Sequence, residues 1–346
     1  MKQRNYSLDV VRLIAALAVV VCHADVFIEN GGVLYQFVSR YAPRVSVAFF
    51  FAISGYYYIK AIDKKDIFKK QMKSLLLAYL AWTVVYYAAS FVDNILLGGG
   101  DIGTFLVERV FFFFTEGSYP HFWFFVALIY SVVFVTIFNR LGGKKGVFAL
   151  TVLSLILFVI GNLGSSYYVL GANIPGLNIL YGEYQEVFFI LRGIFCMGLP
   201  YFMMGYWLNV LEEKILAMDG RRFWCIYGGA SILYVAEILL LATVINGTER
   251  PEVFIMLYPM AFLVMAMLLR NPMPEWSKAA PFCKRMSGYI YYVHPLLILI
   301  FGLMGEMLHI TIPSYIVYLL VIAAAMISGI ILMKLSEKIK FLNYFV

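Results

Sequence analysis

Residues 8–28 read LDVVRLIAALAVVVCHADVFI, an apolar run broken only by Asp9, Arg12, His23 and Asp25. As a helix rising 1.5 Å per residue, a run of this length crosses the roughly 30 Å of hydrocarbon in a bilayer. A cleavable leader is not expected here. The apolar stretch is too long, it contains Arg12 and His23, and no small-residue cleavage site precedes the next apolar stretch.

Working outward, nine more stretches of comparable character follow, at 44–60, 74–93, 121–139, 146–161, 187–209, 223–245, 253–269, 287–308 and 313–333. Of the 346 residues 63% are hydrophobic and only 14% charged, whereas an ordinary soluble domain is about a quarter charged. The expected fold is therefore all-α, a polytopic transmembrane bundle of about ten helices forming one domain over residues 1–346. No internal repeat or low-complexity linker divides the chain.

The basic residues set the expected orientation. Alternate connecting segments hold 21 of the 27 Lys and Arg residues, from Lys2 and Arg4 through 60–73, 140–145, 214–222 and 270–285 to the tail. The other connections carry only Arg40, Arg44, Arg109 and Arg250. Basic segments stay in the cytoplasm, so both termini are expected there. The net charge of +7 then reflects topology and contact with anionic lipid. Nucleic acid is not an expected partner, because no soluble segment carries a basic stripe with interleaved aromatics.

Cys22, Cys196, Cys225 and Cys283 have no CxxC spacing and suggest neither a disulfide framework nor a zinc site. Gly98-Gly99-Gly100 reads as a flexible turn without the Lys and Ser/Thr of a phosphate loop. Two outer segments are longer than a connection requires. Residues 101–119, with Phe111–Phe114, are expected along the interface or dipping into the protein, and 162–186 as a lid or recognition loop.

Charged groups within a bilayer cost several kcal/mol and usually face the bundle interior. Arg12 and His23, eleven residues apart, share one helical face about 16 Å apart along the axis. Asp9, one turn before Arg12, is placed to pair with it. Two readings stand side by side for these groups: interfacial snorkelling with ordinary helix–helix hydrogen bonds, or a polar site. Arg44 opens the second span and Arg192 lies near the outer end of the sixth. Ser54 and Gly55 permit close helix contact. Trp123 suits an interfacial anchor; His121 beside it is less expected. His294 is expected two turns into the ninth span, toward its cytoplasmic half, with Pro295 bending the helix. The histidines are expected at different depths, so no metal is suggested.

Four motifs occur in order: Arg12 and His23 separated by ten residues, Phe50-Phe51-Ala52-Ile53-Ser54-Gly55-Tyr56, His121-Phe122-Trp123-Phe124, and Ser287 to His294. In this order they resemble the acyltransferase 3 family of membrane proteins over essentially the whole chain. Arg44, Arg192-Gly193-Ile194-Phe195 and the residues after His121 look closest to the membrane domain of vancomycin-resistance-type serine racemases. No lysine of a pyridoxal-phosphate site in a soluble fold is visible, so racemase activity is not expected of this chain.

The resemblance implies an O-acyltransferase of the bacterial cell membrane. Acyl-CoA, typically acetyl-CoA, would be the cytoplasmic co-substrate, with no permanently bound cofactor. The acceptor would be an extracytoplasmic glycan, lipid-linked sugar or other small hydroxyl compound. Catalysis is then expected of His23 as general base, with Arg12 holding donor phosphate. Ser54 and His294 are expected on the donor side. Arg44, His121, Trp123 and Arg192 are expected to bind the acceptor or the carbonyl oxyanion. A homo-oligomer is compatible with all of this. The competing reading is a permease for a small polar molecule such as L-serine, in which the same Arg and His residues bind a carboxylate and Pro295 marks a broken helix. The lack of an inverted repeat weighs against it.

Overall fold

The structure, a computed structural model, describes residues 5–243 and 253–346. Lys2, Arg4 and Arg250, used above to orient the chain, and the expected end of a span at 245 lie outside the described residues. Every regular element among the described residues is helical, as the apolar runs require in a medium where backbone groups must bond within their own segment. The principal helices are α1 (Ser7–His23), α2 (Arg44–Lys60), α3 (Ile67–Phe91), α4 (Ile102–Thr115), α5 (Trp123–Leu163), α6 (Gln185–Val210), α7 (Gly220–Thr243), α8 (Leu257–Arg270), α9 (Ala280–Met307) and α10 (Ser314–Lys338).

Six helices among the described residues are long and apolar enough to cross a membrane by length and composition, against the ten spans expected. The difference has two causes. The 17 residues of α1 and of α2 and the 14 of α8 are short; at 1.5 Å per residue 17 residues reach about 26 Å. The spans expected at 121–139 and 146–161 are also joined into α5 across a single non-helical residue, Gly143, at φ 54° and ψ −139°. There the chain doubles back. A Cβ on Gly146 would stand 2.0 Å from the Phe138 carbonyl oxygen, although eight residues of straight helix span about 12 Å.

α2 is central, packed against α1, α5, α6 and α8, while α1 lies along α9 and α9 along α10. The α2–α6 crossing is backbone on backbone. A Cβ on Gly55 would meet the Phe202 carbonyl oxygen at 1.9 Å, and one on Gly205 would stand 2.3 Å from both Gly55 C and Tyr56 N. In lipid no hydrophobic force drives helices together, so such close van der Waals packing does. Large apolar side chains instead point outward, among them Val84, Ile232 and Ile327, an outside that suits hydrocarbon.

The two long segments behave differently. Asp101 caps α4 by accepting from the Thr104 amide at 2.7 Å. The helix dips into the protein on one face, where Phe113 stacks on Tyr79 at 4.8 Å and the Arg109 carbonyl accepts from the Tyr87 hydroxyl. Val107 and Val110 remain exposed on the other. Residues 162–186 are packed down through Tyr181 on Phe188 and through the Tyr167 hydroxyl on Glu237. Glu237 also accepts from the amides of Ile255 (2.8 Å) and Met256 (2.6 Å), at the start of α8, where a carboxylate complements the helix dipole.

Candidate functional site: two cavities meeting at His23

Because α1 is a continuous helix, Arg12 and His23 fall on one side of it, and Arg12 is held by Asp9 at 2.8 Å. Helix α1 ends at His23; Asp25 and Phe27 then take left-handed backbone conformations (φ 47° and 67°) and turn the chain away. His23 is therefore left at a helix end with its side chain exposed.

It is exposed into two cavities. The first, about 310 Å³, is lined by Arg12, His23, Ser54, His121, Trp123 and Lys284, among others. The second, about 630 Å³, is lined by Asp25, Arg40, Arg44, Arg109, Glu116 and Arg192 together with His23 and Trp123. Val19, His23, Val47 and Trp123 belong to the walls of both. Both volumes lie in the range of small-molecule sites.

The expected site residues are distributed between these chambers. Arg12 and Ser54 line the first, although the Ser54 hydroxyl donates back to the Phe50 carbonyl at 2.8 Å. Arg44 and Arg192 line the second. The Arg44 Nε donates to the Arg40 carbonyl at 3.0 Å, and the buried Arg192 guanidinium lies 4.8 Å from the Phe189 ring centre. His121, expected on the acceptor side, lines the first chamber, with its carbonyl accepting from the Tyr291 hydroxyl at 2.7 Å. Trp123 faces both.

His294 requires a correction. Expected in the cytoplasmic half at the donor site, it is fully buried and lines neither cavity. Its ring centre is 5.0 Å from that of His23 and 5.4 Å from that of His121. The expected depth was counted from Ser287, but α9 begins at Ala280, two turns earlier, so His294 sits mid-helix. The three histidines thus share one level, contrary to the different depths expected. Among the described residues no group of three or more His, Cys, Asp or Glu side chains is disposed to hold a metal ion. The His294 Nδ1 lies 3.0 Å from the Ile290 carbonyl. A carbonyl only accepts, so Nδ1 carries the proton.

Sequence reasoning missed Arg40, Arg109 and Lys284 as site residues, since each falls between the apolar stretches of the sequence, where a charge is unremarkable. Residues 162–186, expected as a lid or recognition loop, contribute to neither cavity wall. They are tied to the bundle instead.

Comparison with known proteins follows the same lines. A family model described as Acyltransferase domain matches residues 5–334. An amino-acid racemase of Enterococcus faecalis is 26% identical over 355 residues, covering 98% of this chain and 47% of the relative. A serine/alanine racemase of Enterococcus gallinarum is 25% identical over 356 residues, covering 97% and 46% respectively. The chain therefore spans about half the length of the curated relatives it matches. No solved structure matches. With the family model running from α1 into α10, and apolar helices long enough to cross a bilayer, the chain belongs to the acyltransferase family of that domain and is a membrane acyltransferase.

Proposed function

We propose that the protein transfers an acyl group, acetyl in the simplest case, from a cytoplasmic acyl-CoA to a hydroxyl of a cell-envelope acceptor across the bacterial plasma membrane. The observation that carries this reading is that His23 lies on the wall of two cavities. Gln71 and Lys284 of the first cavity come from the basic segments 60–73 and 270–285, which the positive-inside rule assigns to the cytoplasm together with both termini. Most residues of the second cavity come from the basic-poor connections or from the ends of the helices they join.

In this reading Arg12 and Lys284 hold the donor's phosphates by charge-assisted hydrogen bonds, with Ser54 beside them. The acceptor enters from the second cavity, bound by Arg44 and Arg192. His23 takes the hydroxyl proton as the oxygen attacks the thioester carbonyl. The C–O bond forms, the C–S bond breaks, and the imidazolium returns its proton to the departing thiolate. His121 and Trp123, which line the first cavity with His23, would donate to the carbonyl oxyanion.

The test is release of CoA from acetyl-CoA by the purified protein in nanodiscs, comparing wild type with His23→Ala. General-base catalysis contributes about 10²–10⁴-fold, so a loss of that size in a folded variant is expected, and undiminished turnover excludes His23 as the base. The racemase names of the relatives favour a second reading, a permease for an amino acid such as L-serine. Uptake of L-serine into proteoliposomes by a protein that releases no CoA would select it.

A further inference from the structure

Four side chains, Val19, His23, Val47 and Trp123, are shared by the walls of both cavities. A hydroxyl activated by His23 lies within hydrogen-bond reach of the imidazole, and the carbonyl it attacks stands at contact distance beyond. The acyl group carried by that carbonyl therefore falls among the other three. Their places follow from the helices. Val19 is one turn before His23 on α1, and helical residues three or four apart share a face. Val47, Phe50 and Ser54 have the same spacing on α2 and turn one stripe of it toward the first cavity. Trp123 opens α5.

The first cavity has little room to spare. At about 310 Å³ it is at the lower end of small-molecule sites. It also has to hold the arm that joins donor phosphates at Arg12 and Lys284 to a thioester at His23, and Arg12 and His23 are about 16 Å apart along α1. The apolar wall between them is stiff. The ring centre of Phe124 lies 4.3 Å from that of Phe51, 6.4 Å from Phe50 and 5.5 Å from Tyr291, while Phe125 stacks on Tyr292 at 5.7 Å. Trp123 stands 5.9 Å from Phe51, and a Cβ on Gly193 would come within 3.2 Å of its ring. A helical valine is held to one strongly preferred χ1 rotamer. Among the described residues no methionine, the side chain that adapts most readily, lines this cavity. A long acyl chain could extend only past the shared wall, into the volume the acceptor has to occupy.

We infer that Val19, Val47 and Trp123 are the specificity-determining residues for the acyl group, a collar at the shared wall that admits a short acyl group and rejects longer chains. This rests on the reading that the first cavity receives the acyl-CoA, and it adds which side chains measure the group transferred. A fixed apolar pocket discriminates by roughly 10–200-fold per methylene.

Two series of one chain length each test this on the nanodisc-embedded protein. CoA and its unreactive S-ethyl, S-butyl and S-hexyl thioethers are titrated by calorimetry, and acetyl-, butyryl- and hexanoyl-CoA are followed by CoA release. Wild type should favour acetyl- over butyryl-CoA by about tenfold or more in kcat/KM, with the thioethers ranked the same way. Val47→Ala should cut that preference several-fold, and Val47→Leu should weaken use of even the acetyl compound. Val47 is only half-buried, so these variants serve even if the buried Val19→Ala fails to fold. Leu75→Ala enlarges the same cavity from α3, which contributes nothing to the shared wall, and should keep the wild-type ranking. Equal use and equal binding of all lengths overturns the inference and leaves acyl transfer standing. So does a ranking that changes in Leu75→Ala but not in Val47→Ala. Length-ranked binding without CoA release supports the collar and sinks acyl transfer. If CoA and every thioether fail to bind and no thioester releases CoA, the acyl-transfer reading falls and the inference falls with it.

Discussion

The imidazole of His294 lies 5.0 Å from that of His23, tilted by 51°, and its Nδ1 is tied to the Ile290 carbonyl at 3.0 Å. The ring of His23 is exposed to the cavities and the ring of His294 is buried behind it. With Nδ1–H donating to that carbonyl, Nε2 is the lone-pair nitrogen, and it makes no hydrogen bond among the described residues. We propose His294 as a positioning residue whose ring, 5.0 Å from that of His23, limits the orientations open to it.

His294→Gln should leave acetyl-CoA binding intact and lower kcat, but by less than the roughly 10²–10⁴-fold expected when the base itself is removed. A merely structural role would lower the amount of folded protein without altering its pH profile. A positioning role moves the acid limb of kcat in the protein that does fold. Unchanged kcat and an unchanged limb exclude it.

The Gly55–Gly205 crossing predicts an asymmetric response to added methyl groups. Gly205→Ala places a carbon 2.3 Å from the backbone of Gly55 and Tyr56, whereas Gly228→Ala in α7 meets nothing within 4 Å. The first should destabilise by about 1–3 kcal/mol, the usual cost of overpacking, and the second should be neutral or slightly stabilising. Thermal unfolding in one detergent compares them. Equal midpoints would mean that α2 and α6 are not in backbone contact.

Helices and their apolar exteriors were legible in the sequence because length and composition are local properties. The Asp9–Arg12 pair was legible for the same reason, being three residues apart on one helix. Long-range meetings were not. Nothing local distinguishes Arg109, on an interfacial helix, from a solvated charge, yet α4 turns it into the wall of the second cavity. His294 was misplaced because the apolar run begins near Ser287 while the helix begins at Ala280; hydropathy marks where lipid begins, not where helical hydrogen bonding does. Residues 162–186 carry Gly and Asn like a mobile loop, but Tyr167 and Tyr181 anchor them to Glu237 and Phe188.

Arg12 is paired with Asp9 at 2.8 Å at the first cavity. If it grips donor phosphate, Arg12→Lys loses the planar fork while keeping the charge. KM for acetyl-CoA should rise about tenfold, the equivalent of 1.4 kcal/mol, with kcat changed far less. Asp9→Asn should have a smaller effect in the same direction, through a less firmly held guanidinium. A fall in kcat at constant KM would transfer Arg12 from donor binding to the chemical step.

Glu29, just beyond α1, accepts from the Ser314 hydroxyl at 2.6 Å and from the Ser314 amide, at the first residue of α10. These two bonds to Ser314 hold its carboxyl below the ordinary carboxylate value. A group whose folded value is depressed contributes above its unfolded pKa and loses that contribution as pH falls through the folded one. The tie between the end of α1 and the start of α10 should therefore be intact at neutral pH and open under acid conditions, below the ordinary Glu range. Hydrogen exchange at the Ser314 amide follows it directly: protection should persist at pH 7, fall as the carboxyl protonates, and be weak at every pH in Glu29→Gln. Because Glu29 is solvent-accessible, the effect should be confined to the 308–314 connection and leave the bundle's unfolding midpoint nearly unmoved. Protection at Ser314 that ignores both pH and the substitution would mean that the connection is held by something other than this carboxylate.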